Sequence, residues 1–169
     1  MRTVLAVLAF LSAAVVSPVV GQGDEEYTRK TLAGLQDVYV VVEPIKDEVE
    51  RDGLRRDQVS TDVELKLRQA AITVLSREQA PFPAGTAFLY VNVHAFKSPG
   101  VDLYAYSVEV QVHQHVRLIR DPTVTVLTPT WSVGSLGLAG SERLGSIRDV
   151  VRDQMDKFIN AYLAANPKR

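Results

Sequence analysis

The sequence predicts an α/β protein, a two-layer sandwich in which two helices cover one face of a mixed five-strand sheet. Three observations predict it. β-branched runs alternating with period two recur along the chain, as strands with two distinct faces require. Two segments switch to a period near 3.6 and carry one apolar stripe each. The resulting order, β-α-β-β-β-β-α, combines one crossover unit with a run of strands that two helices can close into two layers.

The first 21 residues stand outside that fold. Arg2 precedes the apolar run from Val4 to Val16, Pro18 breaks it, and Val19-Val20-Gly21 places small residues at a cleavage site. This is the pattern of an export signal, with cleavage expected after Gly21, and the run is short for a span of ~20 residues. About 148 residues remain, enough for one domain. Residues 22–36 read as a flexible or short helical lead-in carrying Leu32 and Leu35, and 37–166 as a single α/β domain.

"DVYVVVEPI" (37–45) is apolar on both faces, as a central strand would be, and Pro44 ends it. "KDEVERDG" reads as a solvated connection. Val59, Val63, Leu67 and Ala70 then recur at helical spacing, predicting a helix over 55–70, and "ITVLS" follows as a short strand. Strand, helix, strand favours a parallel pair. "REQAPFPAGT" is a loop. "AFLYVNVHAF" (87–96) alternates, with Leu89, Val91 and Val93 on one face and Phe88, Tyr90, Asn92, His94 and Phe96 on the other. After "KSPGVD", Tyr104, Tyr106, Val108, Val110, Val112, Val116 and Leu118 point inward, and Ser107, Glu109, Gln111, His113, His115 and Arg117 outward. "VTVLTPTWSV" is a last strand, with Pro129 marking an edge or a bulge. From Ser141 onward Leu144, Ile147, Val151, Met155, Phe158 and Tyr162 form a helical stripe, with Asp153 and Lys157 at i,i+4 on its exposed face.

Composition narrows the function. The formal net charge is −1 over 169 residues, which gives no electrostatic footprint for nucleic acid. Cysteine is absent, so a disulfide framework, thiolate metal sites and a lipid-modified cysteine are excluded, and an exported chain of this kind suits the bacterial periplasm. His113 and His115 share a strand face, as two metal ligands would. If Val93 faces Tyr106, however, His94 lies opposite Ala105, ten residues or roughly 33 Å from His115 at ~3.3 Å per residue. No metal site is expected. Ser135 in "VGSLG" lacks the first glycine of a hydrolase elbow, and no histidine follows it. No catalytic or cofactor signature is present.

Two surfaces remain as candidates. The segment "WSVGSLGLAGSER" places Trp131, Gly134, Gly137, Gly140 and Ser141 ahead of a helix, where a glycine-rich loop could hold a small ligand or anion. Its glycine spacing fits no dinucleotide fingerprint and it lacks the P-loop lysine. It reads more simply as a connection, with Ser141 as helix cap. The outer sheet face is the stronger candidate. Phe88, Tyr90 and Phe96 lie there, with Leu103 expected beside Phe96, on a face without helix cover unless the lead-in folds over it. The function this supports is a non-enzymatic, protein-binding module of the cell envelope, its partner unspecified.

The segments "DVYVVVEPI", "DVELKLRQAAITVL", "FLYVNVHAF", "YAYSVEVQVHQHVRLIRD", "TWSVGSLG" and "FINAYLAANPK" together resemble an uncharacterised family of small exported bacterial proteins. That resemblance implies no activity and no site residues. It implies glycine where Ala71 stands, at the residue after the first long helix. A left-handed alanine there costs about 1 kcal/mol, so the helix is expected to end differently. At the level of element order the chain is also similar to small periplasmic domains such as the amino-terminal domain of the Tol–Pal protein TolB, lipoprotein activators of peptidoglycan synthases and the curli-secretion lipoprotein. Such domains bind proteins and catalyse nothing.

Overall fold

The computed structural model describes residues 24–167. The expected signal segment and its cleavage site lie outside the described residues. Five strands form one sheet in the order β2-β1-β3-β4-β5. They are β1 (Asp37–Val42), β2 (Thr73–Leu75), β3 (Ala87–Lys97), β4 (Leu103–Leu118) and β5 (Asp121–Gly140). β1 runs parallel to both β2 and β3, whereas β3, β4 and β5 are antiparallel. The helices are α1 (Glu26–Arg29), α2 (Asp47–Arg51), α3 (Arg56–Gln69) and α4 (Ile147–Ala165). The expected mixed sheet and order of main elements are present, with α1 lying in the lead-in and α2 as an addition.

One sheet face is aliphatic because the register aligns the alternation across strands. Leu89 faces Val112, Val91 faces Val110 and Val93 faces Val108. All six are buried. The stripes of α3 (Val59, Val63, Leu67) and α4 (Ile147, Val151, Met155, Phe158) close this face into one core. Burial of a large aliphatic or aromatic side chain contributes roughly 1.5–3 kcal/mol. Charged side chains then link the two helices. Asp62 takes a bidentate contact from Arg148 and a third bond from Arg152 at 3.0 Å, and Lys66 reaches Asp156. Arg148 beside it holds the Asp62 carboxyl below its ordinary value, against the opposing effect of burial.

Several local expectations are corrected. "KDEVERDG" is not a bare connection. It forms α2, whose Val49 is buried, while Asp52 just beyond accepts a 2.5 Å bond from the Tyr104 hydroxyl. The last helix begins later than Ser141, because Ser141–Ser146 is a 3-10 segment and α4 starts at Ile147. Ser141 does not cap it; its hydroxyl is turned to Asp102 in the β3–β4 turn. Lys157 donates to Gln154. Ala71 does adopt the left-handed conformation, at φ 60°. The bonds from Ile72 N to Leu67 O and from Ala71 N to Arg68 O form the two closures of a Schellman ending, with Leu67 and Ile72 both buried beneath it. Tertiary packing of Ile72 thus outweighs the local penalty at Ala71.

The lead-in belongs to the core side. Leu32 and Leu35 are buried in the main cluster. Asn166 Nδ2 donates to Leu32 O, the Tyr162 hydroxyl donates to Leu35 O, and Gly34 N donates to Asn166 Oδ1. Trp131 Nε1 donates to Asp24 Oδ1, which Arg29 also grips. This segment therefore seals the end of α4 over Trp131 and leaves the outer sheet face to other elements.

Candidate interaction surface

The outer face consists of the alternate residues of each strand, and the register arranges them in rows. Tyr39, Phe88 and His113 form one row, and Val41, Tyr90 and Gln111 the next. Further along, His94, Ser107 and Leu136 align, followed by Phe96, Ala105 and Leu138. Phe88 and Phe96 are eight residues apart on one strand, roughly 26 Å at ~3.3 Å per residue. The face therefore has two ends, and the chain treats them differently.

At the Phe88 end the chain covers itself. The connection from β2 to β3 must cross β1, and its Phe82 lands on the outer face. The Phe82 ring lies 4.6 Å from Tyr39 and 5.8 Å edge-on from Phe88. His113 lies against Tyr90 at 4.4 Å, and His115 meets Phe88 edge-on at 6.1 Å. The two histidines serve this aromatic cluster. His113 Nε2 also pairs with Gln111 Oε1 at 2.8 Å, and burial pushes its pKa down from the ordinary value, against the attraction of Glu109. Among the described residues no group of three or more ligating side chains is placed to hold a metal.

At the Phe96 end little lies over the sheet among the described residues. Phe96 is 56% exposed, Leu136 63% and Leu138 67%. The Lys46 ammonium sits 4.2 Å over the Phe96 ring, leaving most of the ring in solvent. A shallow depression of ≈ 200 Å³ opens beside this patch, lined by Ser107, Glu109, Ser132, Gly134 and Leu136 among others. The expected neighbour of Phe96 is corrected. Ala105, not Leu103, stands opposite it, and Leu103 faces Gly140. The β3–β4 turn closes between Ser98 N and Leu103 O, which moves the register by two residues. A two-residue shift preserves the faces and changes the rows.

The segment weighed as a ligand-holding loop is strand from Trp131 to Gly140 and a 3-10 turn from Ser141 onward. Trp131 to Gly140 completes β5, pairing residue by residue with β4 from Val112 to Leu103. Trp131 faces the core, buried against Phe158 at 5.5 Å. Gly134 and Gly140 face outward and Gly137 inward, so the three glycines converge on no common point. Gly137 has a packing reason: a Cβ there would lie 2.4 Å from the Tyr106 hydroxyl, because the Tyr106 ring fills the space over its cross-strand partner. Ser141 is occupied with the Asp102 carboxylate. Ser135 Oγ accepts from Gln154 Nε2.

Sequence reasoning missed Leu136, Leu138 and Phe82. The leucines sit in the glycine-rich stretch, and Phe82 sits between two prolines in a loop. A recoverable signal existed for the leucines. They alternate with Ser135, Gly137 and Ala139, a period of two that continues the preceding strand.

The fold and site define a two-layer α/β sandwich with one half-covered sheet face. No family model matches the chain, and no curated protein matches it. Among solved structures the chain is similar to PelC from Paraburkholderia phytofirmans, seen as a dodecamer in two crystal forms, one of them carrying a point substitution. Identity is 16% and the TM-score 0.45 in each, covering 77% and 78% of this chain and 90% of PelC. It is also similar to the hypothetical protein CT253 from Chlamydia trachomatis, with 10% identity over 78% of this chain and 99% of that one, at a TM-score of 0.42. Among the described residues no helix is long and apolar enough to cross a membrane.

Proposed function

We propose that this chain is a non-enzymatic, protein-binding module of the bacterial cell envelope, working in the periplasm after removal of its first 21 residues. The observation that carries the reading is the bare end of the outer face. Phe96, Leu136 and Leu138 are each more than half exposed and lie in adjacent rows of one sheet. Contiguous exposed apolar side chains of this size mark interaction sites more often than they occur by chance on monomers. The site fits an apolar segment of a protein partner, with the Lys46 ammonium and Glu109 as its polar rim. The export pattern in the sequence and the resemblance to small exported bacterial proteins support the compartment.

The test is cross-linked capture from envelope extract with the wild-type chain and with the double variant Phe96→Asp, Leu138→Asp. Both side chains are solvated, so the variant keeps its circular dichroism and thermal midpoint. It is expected to lose the captured partner. An unchanged set of captured proteins from a folded variant would sink the reading.

A further inference from the structure

Among the described residues β5 is the outermost strand and the longest, running from Asp121 to Gly140 with β4 along one side only. Thr31 Oγ1 donates to the Thr130 carbonyl, and beyond it the other side of β5 presents a row of backbone N–H and C=O groups, which is a template for another strand. Natural sheets guard such an edge with charge, proline, a bulge or brevity. The opposite edge is guarded by brevity, since β2 spans three residues. In β5 the guards sit in one half. Pro122 and Pro129 are there, as are both register shifts against β4, at Val112/His113 and Arg117/Leu118. From Trp131 to Gly140 no proline, charge or register shift intervenes, and no ionisable side chain occurs anywhere from Thr123 to Gly140.

We propose that the Trp131–Gly140 edge of β5 pairs antiparallel with the same edge of a second copy of this chain. The occupant follows from the strand's own character. Antiparallel self-pairing is two-fold symmetric, so each strand meets its own sequence reversed. A charged strand would meet like charges in that arrangement, at a cost, and this one meets none. The outward side chains also suit themselves. Along that face Ser132 and Gly134 are small and Leu136 and Leu138 are large. A pairing centred on Leu136 sets each Leu138 against the other copy's Gly134, bulk against space. The paired sheet is continuous and twice as wide, and the two Phe96–Leu138 patches join into one apolar platform across the new seam. The pairing rests on the unpaired backbone edge and stands independently of the envelope-partner reading.

The experiment is the solution mass of the full chain by light scattering across a concentration series, with hydrogen exchange of the β5 amides read in parallel. The mass of two chains is expected at tens of micromolar, with the free-edge amides between Trp131 and Gly140 slowing as concentration rises. The double variant Ser132→Lys, Leu136→Lys places charge on the edge in any antiparallel register. It is expected to weaken association by about tenfold or more while its circular dichroism is unchanged. A wild-type chain of one-chain mass throughout, or a dimer that persists undiminished in the folded lysine variant, overturns the pairing. A monomer that still captures an envelope partner overturns the pairing alone, and a dimer that captures none overturns the docking reading alone.

Discussion

Over β2, β1 and the start of β3 the outer face is closed by the chain's own residues, while over the far end of β3, β4 and β5 it is open. The closed half exists because of topology. β1 lies between β2 and β3, so the chain leaving β2 has to cross it, and residues 76–86 do so with Phe82 pressed onto Tyr39 and Phe88. No connection has to cross the open half, because β3, β4 and β5 are sequential neighbours joined by turns. Aromatic residues on an unhelical face are therefore not equivalent. Phe88 and Tyr90 are half-buried structural members, and Phe96 is a free surface.

The largest effect is expected from breaking the cover. Phe82→Ala removes a ring that contacts two others, and a half-buried phenylalanine should cost about 2 kcal/mol, below the range for a fully buried one. Leu138→Ala, in the open half, should stay within about 0.5 kcal/mol of wild type, as solvated substitutions do. Chemical denaturation of both variants measures the contrast. Equal losses would mean that the two halves are covered alike.

The contrast also explains what the sequence could and could not reveal. The core face of β3 and β4 was legible because one buried face enforces strict alternation from Leu89 to Val93 and from Tyr104 to Val112. The stripes Val59-Val63-Leu67 and Ile147-Val151-Met155 were legible for the same reason. The β5 segment after Trp131 was not, since glycines read as a turn when their packing partner is unknown. Only the fold reveals that Gly137 leaves room for Tyr106. The rows of the outer face were out of reach as well. Turn geometry sets register, and the turn after Lys97 closes two residues from the expected place. Phe82 acquires its role from the crossing of β1, a property of strand order that local pattern does not encode.

A second, smaller effect sharpens the closed half. Ala71 sits in the left-handed region immediately before β2, the strand from which the cover departs. Ala71 is exposed, and glycine accepts this conformation without steric cost. Ala71→Gly should therefore stabilise the protein by about 1 kcal/mol, despite the greater freedom it gives the unfolded chain. A thermal midpoint raised by a few degrees is the expected readout. A lowered midpoint would mean that this helix does not end in a left-handed residue.

The smallest effect concerns the border between the halves, where His113 lies on Tyr90. Burial lowers its pKa below the ordinary 6.5, with Glu109 pulling the other way. A folded value below the unfolded one means that the unfolded chain binds more protons in the window between them. The stabilisation linked to neutral His113 is thus fully present above about pH 6.5 and lost as pH falls through the folded value. The depressed carboxyls Asp24 and Asp62, each held down first by an arginine, follow the same sign in a lower window, with their stabilisation lost as pH falls below the ordinary 3.8. The two windows separate the contributions. The expected results are an NMR titration of the His113 ring with a midpoint below 6.5, and a decline in urea stability from pH 7.5 to 5.5 that shrinks in His113→Gln. A His113 midpoint at or above 6.5 would place the ring in solvent and move the border of the closed half inward to Tyr90.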